Sequence, residues 1–281
     1  MVCLKYEVEV EVEVEVEVEG WPLSFVHRPL SNLHLIMLYV FSGCGMSKQV
    51  ADWIGRETSA DELGFVIPVY GWRLPKIVRR WIREELHGKL SSEMKPRFIW
   101  AVFTCGDSVG NIDYDLENEL KAALGEEFKL DAAYSVIMPD TYLGLPGFRL
   151  DSPEETKSKL ERAKARCEAI KNSLAQRSAM EGRIRDLKRG PMSWLLTNVI
   201  GRFFDRFLVT DRLWKVDKTK CIGCGKCARE CPTGDIELDE GGRPRWKHTG
   251  ACTGCFRCYH RCLGDAIEFG PFTRNKGRLH G

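Results

Sequence analysis

No stretch of the chain reaches the roughly 18 uninterrupted apolar residues that a membrane-spanning helix needs. The apolar run from Leu35 to Phe41 is far too short. The N-terminus lacks the basic segment, apolar segment and small-residue cleavage site of a secretion signal. Charge of one sign is also scarce. Lys and Arg number 42 against 40 Asp and Glu, for a net charge of +2. Nothing therefore draws the whole molecule towards nucleic acid or a membrane. A disulfide framework is a poor reading of a long chain without a secretion signal. A reducing cytoplasm, in an organism that avoids oxygen, is the expected setting. Hydrophobic residues make up 43% of the 281, enough to build a core in one large domain or two small ones.

What the chain does have is cysteine. Of its twelve, eight fall in two runs: Cys221, Cys224, Cys227, Cys231, then Cys252, Cys255, Cys258, Cys262. Both read C-x2-C-x2-C-x3-C, the bacterial ferredoxin spacing for two [4Fe–4S] clusters. A cubane needs one thiolate at each of four iron corners. Three cysteines spaced by two wrap three corners. The fourth reaches the other cube, because the chain has by then turned into a short helix. The expected ligand sets are thus Cys221, Cys224, Cys227 with Cys262, and Cys252, Cys255, Cys258 with Cys231. The repeat extends beyond the ligands: Gly223 matches Gly254, Ile236 matches Ile267, and Glu237 matches Glu268. Ile222, Ile236 and Ile267 are expected to wall the clusters from water. Pro232 is replaced by Leu263 in the second run, which costs no ligand. Zinc fits poorly, since it wants two CxxC pairs closed into one tetrahedron.

Residues 1–33 form a low-complexity leader in which Glu7 to Glu19 alternate glutamate with valine. A period of two is a strand pattern, but this run exceeds a typical strand. Three readings stand: a disordered leader, an added edge strand, or a start assigned too early, with Met37 as the functional one. From residue 34 to 150, apolar runs alternate with helical patterns. Strands are expected over His34–Phe41, Gly64–Tyr70, Phe98–Thr104 and Ala132–Met138, and helices from Ser47, Pro75 and Asp113. This alternation argues for a parallel α/β sheet. Residues 151–215 read as a charged helical bridge. Ser152 is its N-cap, and a second, amphipathic helix spans Met192–Leu208 and packs as a bridge to the cluster domain rather than on a membrane surface. Residues 216–281 hold both cysteine runs. The basic stretch Arg183, Arg185, Lys188, Arg189, Arg202, Arg206, Arg212 reads as a solvated face, or else as a face for an acidic redox partner.

Ser42-Gly43-Cys44-Gly45-Met46-Ser47 follows the first strand and opens a helix. Ligands of open α/β sheets bind at that position. Glycines point backbone N–H groups inward and the helix N-terminus favours an anion. With no lysine, the loop is no nucleotide-triphosphate cradle; it suits the phosphate of a flavin mononucleotide (FMN). Cys44 precedes a helix N-terminus, where a thiol can become reactive, but reads as a small buried side chain. Cys105 and Cys167 read likewise, and His260 as structural.

The segments YVFSGCGMSKQVA, VIPVYGWRLPKIV, VFTCGDSVGN and VIMPDTYL, with both cysteine runs, resemble a bacterial family. Its members fuse a flavodoxin-like domain to a C-terminal two-cluster ferredoxin. The resemblance covers Leu35 to Arg278. It implies a flavodoxin-like parallel sheet followed by a small α+β bacterial-type ferredoxin domain. It also implies FMN contacts from Ser42, Gly43, Cys44, Gly45, Met46 and Ser47 at the phosphate. Pro68, Val69, Tyr70, Gly71 and Trp72 would flank the flavin on one side, and Thr104, Cys105, Gly106 and Asp107 on the other. The chain departs from the family at Cys44 and Met46, where members carry Thr and Asn. Only residues 56–63 separate the first helix from the second strand, so an edge strand is expected to be missing, leaving four.

The function expected is electron transfer with a redox-protein donor or acceptor, two [4Fe–4S] clusters and FMN. No catalytic residue is called for; the protein's work is to hold cofactors close and set their potentials. The alternatives are a ferredoxin whose flavodoxin-like part has lost FMN and serves for docking, and a flavin-dependent reductase of a small molecule.

Overall fold

The computed structural model describes residues 2–4, 37–55, 62–86, 88, 90, 96–177 and 182–279. The Glu–Val repeat lies outside them. The first layer is a six-stranded sheet of β1 (Val2–Leu4), β2 (Met37–Val40), β3 (Glu62–Pro68), β4 (Phe98–Cys105), β5 (Ala132–Ile137) and β6 (Ile184–Asp186), in that spatial order. β2 to β6 are parallel; β1 pairs antiparallel to β2, Val2 opposite Val40.

The central strands are buried on both faces, which is why they read as unbroken apolar runs rather than alternating ones. One face packs Phe41, Phe65 and Phe103 against α2 (Lys76–Trp81, continuing as a π-helical stretch Ile82–Leu86) and α3 (Ile112–Leu124). The other packs Val40, Val66, Trp100 and Tyr134 against α1 (Met46–Ile54) and α4 (Pro153–Ala175). α4 starts with a full capping box, Ser152 accepting from the Glu155 N–H and Glu155 accepting from the Ser152 N–H. Its charges surround a narrow stripe of Ala163, Cys167, Ile170 and Leu174, all buried. The segment read from sequence as the start of a bridge thus lies on the sheet, and β6 returns to pair with β5.

The strand count differs from the expected four. Four parallel strands, β2 to β5, form the sheet's centre. Yet the sheet gains β6 at one edge and β1 at the other. The strands run in sequential order while α1 and α4 lie on one face and α2 and α3 on the other. A connection's hand must reverse when its helix changes face without the strand order turning back. Two of the four crossovers therefore depart from the right-handed rule.

A helical run over 193–208, here α5, alternates α- and π-type turns. It leads to the cysteine-rich unit: β7 (Trp214–Val216) pairs with β10 (Ile267–Phe269), and β8 (Ile236–Leu238) with β9 (Pro244–Trp246), both antiparallel. The short helices α6 (Lys226–Arg229) and α7 (Arg257–His260) follow equivalent cysteines. Both begin after a left-handed residue, Gly225 in one repeat and Phe256 in the other, with φ of 68° and 58°. A phenylalanine there is strained. It is held by burial against Trp214, Tyr142 and Phe269.

Candidate functional site

The fold brings the eight cysteines together in two groups. Cys221, Cys224, Cys227 and Cys262 line one small cavity. Cys231, Cys252, Cys255 and Cys258 line another. Each quartet takes three thiols from one run and its fourth from the other. Among the described residues, no three His, Cys, Asp or Glu side chains converge on a single-ion position. Burial pushes Cys252 and Cys255 up to about 12 and Cys227 up to about 11. Metal binding must displace those protons.

The two quartets differ in exposure. Cys224 is exposed, and Ile222 beside it is 66% exposed. Ile222 therefore lines its cavity without walling it from water, whereas Ile236 and Ile267 are buried. Leu263, replacing the proline of the first run, is also exposed. The other quartet faces inward, against the strand ends of the sheet.

That contact is direct. Cys44 Sγ donates to the Cys255 carbonyl at 3.0 Å. His260 Nδ1 lies 3.3 Å from the Leu279 N–H and must accept from it, so Nε2 is the donor to the Thr141 carbonyl at 2.8 Å. Its role is structural. Burial pushes the thiols of Cys44, Cys105 and Cys167 up to about 12, so all three are inert at neutral pH.

Beside this contact lies a cavity of about 390 Å³, within the range of small-molecule sites. Pro68, Val69, Tyr70, Gly71, Trp72, Thr104, Cys105, Gly106 and Asp107 all line it. Of the first loop, only Met46 does. Ser42, Gly43, Cys44, Gly45 and Ser47 do not. Gly43 lies against Cys255 and Tyr70, and Ser47 Oγ is hydrogen-bonded to Thr104 Oγ1 at 2.8 Å. Ser42 Oγ is buried with no hydrogen-bond partner among the described residues. The residues present fit a planar ring between the two flanking loops. They do not fit the phosphate: the loop meant for it seats the cysteine loop, and among the described residues no Lys or Arg lines the cavity.

Sequence reasoning missed the rest of the lining. Met138 to Tyr142, after β5, contribute. So do Ile200, Phe203, Phe204 and Leu208 of α5, together with Thr253 to Phe256. α5 buries Thr197 and Gly201 but leaves Trp194, Phe203 and Phe207 more than half exposed. It packs with one face and shows an apolar one to solvent, which amends its expected role as a packing bridge. Of the basic stretch, Arg185 and Arg189 pair with the buried Asp113, and Lys188 pairs with Asp107 at the surface; Arg183, Arg202, Arg206 and Arg212 are exposed, as a solvated face requires.

A buried acid pair sits behind the inward quartet. Asp235 and Asp211 are 1% and 3% exposed, and Asp211 also faces His248. Burial first, then the Asp211 charge, raises the Asp235 carboxyl above its usual range. The folded protein thus holds this proton more tightly than the unfolded chain. Stability present at low pH is lost as pH climbs through the folded-state value. Asp235→Asn keeps the acceptor for Thr249 and offers Asp211 a donor. It is expected to raise Tm at pH 7 by about 2–4 °C. The gain should close towards about pH 4, near the unfolded carboxyl. Calorimetry across that range checks it; a difference independent of pH rejects the assignment.

Comparison with known proteins fits this geometry. Residues 213–263 match the family model of the 4Fe-4S dicluster domain. An uncharacterized ferredoxin of Methanocaldococcus jannaschii is 41% identical over 54 residues, 18% of this chain and 70% of the relative. An uncharacterized protein of the same organism is 36% identical over 66 residues, 22% of each chain. The chain thus spans less than a quarter of that second relative. No solved structure matches.

Proposed function

Through its C-terminal domain the chain belongs to the ferredoxins, and from that premise we propose an electron-transfer protein carrying two [4Fe–4S] clusters, one in each thiol quartet. The observation that carries this reading is the crossed grouping of the eight cysteines around two cavities. Bound there, such clusters supply one-electron storage at low potential. The chain's own residues hold the thiols, exclude water from the inward quartet and leave Cys224 open to a redox partner.

The α/β domain is read as a shortened flavodoxin-like sheet. Removing the second strand from the flavodoxin order 2-1-3-4-5 leaves the sequential order found for β2 to β5. β1 lies at the vacated edge. The lining by the loops after β3 and β4 supports a ring-binding role for this domain. The hydrogen bond from Cys44 to Cys255 supports the second reading, a docking platform for the cluster loop without FMN. Purification without oxygen, followed by iron, sulfide and flavin assays, tests both. About eight iron and eight sulfide per chain with no flavin is the expected composition. Stoichiometric FMN rejects the docking reading. About four iron, or zinc alone, rejects the two-cluster assignment.

A further inference from the structure

The helix α5 is fixed along one side and bare along the other. Its turns alternate between α and π type, which places residues four apart on one line. Thr197, Gly201 and Asp205 form the covered line. Thr197 Oγ1 accepts from the Asn111 N–H at 2.8 Å. A methyl group built on Gly201 meets the Gly71 carbonyl at 2.5 Å, and Asp205 pairs with Arg79. Ile200, Phe204 and Leu208 form the next line and border the cavity. Opposite the covered line stand Val199, Phe203 and Phe207, all exposed, with the two phenylalanine rings 5.0 Å apart. The last line carries Trp194, Arg202 and Arg206, also exposed. Because the covered line is pinned, the helix cannot roll to hide its apolar one. More than half of the large hydrophobic side chains exposed among the described residues lie on this segment. Single exposed apolar residues are ordinary, but a contiguous set marks a binding surface. Both acids of the segment are withdrawn from that surface, Asp205 to Arg79 and Asp211 into the interior. The bare face thus presents aromatic and aliphatic side chains with Arg202 and Arg206 along one flank, and no acid of its own segment.

We propose that this face seats the protein on the surface of an anionic lipid bilayer. The helix lies in the membrane plane, with Trp194, Phe203 and Phe207 in the boundary between headgroups and acyl chains. Arg202 and Arg206 lay their stems along the apolar layer and reach up to the lipid phosphates. Charge selects this occupant over a second copy of the chain. Two such faces packed together set arginine against arginine with no acid between them, whereas anionic headgroups neutralise both. Ile200 and Phe203 also border the cavity, so one edge of the cavity meets the bilayer. This goes beyond the electron-transfer reading and does not depend on what the thiol quartets hold.

Flotation of the full chain, purified without oxygen, through a density gradient with lipid vesicles tests it. Vesicles of mixed phosphatidylglycerol and phosphatidylcholine should carry the protein upwards at low salt, and vesicles of phosphatidylcholine alone should carry far less. Added salt should weaken the binding. Arg202→Gln combined with Arg206→Gln should lower affinity for the mixed vesicles about thirtyfold, with no effect on the residual binding to phosphatidylcholine. Trp194→Ser combined with Phe207→Ser should lower affinity for the mixed vesicles about a hundredfold. All four side chains are exposed, so iron and sulfide should stay at wild-type levels in both variants. Wild-type protein that does not float with the mixed vesicles overturns the proposal. So does equal flotation with both kinds of vesicle, or flotation that neither pair of substitutions changes. A dimer in vesicle-free solution that Trp194→Ser with Phe207→Ser dissociates, without flotation, overturns it in favour of a second copy. Protein that floats as expected yet holds no iron defeats the electron-transfer reading and leaves this one standing.

Discussion

Cys231→Ala combined with Cys252→Ala is expected to leave one [4Fe–4S] centre intact, whereas Cys231→Ala combined with Cys224→Ala leaves none. Single substitutions cannot separate crossed from uncrossed ligation, because either arrangement loses one centre. The pairs separate them. Cys231 and Cys252 line the same cavity, so removing both damages one quartet. Cys224 belongs to the other, so the second pair damages both. Iron analysis should give about four iron for the first pair and close to none for the second. Uncrossed ligation reverses the two results. The magnitude is large because a quartet short of one or two thiolates leaves iron corners without a ligand, and such a site loses its cube on exposure to air or chelator. The surviving centre also identifies itself: it belongs to the quartet of exposed Cys224, and it should be the more readily oxidised by small reagents.

The cysteine unit was legible because its chemistry dictates spacing. Four corners, a tight loop and a short helix leave little freedom, and the repeat announces itself twice. The central strands were legible too, since burial on both faces makes them continuous apolar runs. β6 was not. Ile184–Asp186 has one apolar residue among charges, and it is a strand only because Ala132 to Tyr134 offer it an edge. The face of α5 was also unreadable in advance. Its periodicity shows an apolar stripe, but only packing decides which residues are covered. Here Phe204 turns in against Tyr142, while Phe203 and Phe207 stay outside. Ile222 was misjudged for the same reason: its place inside the cysteine loop fixes its backbone, not what lies over it. The cavity depends on four loops and a helix far apart in sequence. Its residues after β3 and β4 were named from the resemblance, and its other walls required the fold.

Gly43→Ala is expected to damage the inward centre selectively, and it tests how closely the two domains are joined. A methyl group built on Gly43 meets the Tyr70 hydroxyl at 2.5 Å and the Cys255 Cβ at 2.7 Å. Both are closer than carbon atoms tolerate. The backbone at Gly43 is not in the left-handed region, so conformational strain plays no part and only space is at issue. Tyr70 is walled in by Phe41 and cannot swing away freely. The clash is then relieved by pushing out the cysteine loop that Cys44 holds through its hydrogen bond. Overpacking of this kind costs about 1–3 kcal/mol, which raises the population of an opened loop by roughly five- to 150-fold. Chelator extraction should accordingly take about half of the iron at a rate raised by that factor, with the remainder released at the wild-type rate. Gly241→Ala is the control, since its nearest neighbour is an ordinary 3.4 Å away. Unchanged extraction in Gly43→Ala would mean that the loop after β2 does not bear on Cys255. The inward quartet would then have no mechanical tie to the sheet. Biphasic release instead makes that loop, whatever its ancestry as a phosphate cradle, the seat of the second cysteine run.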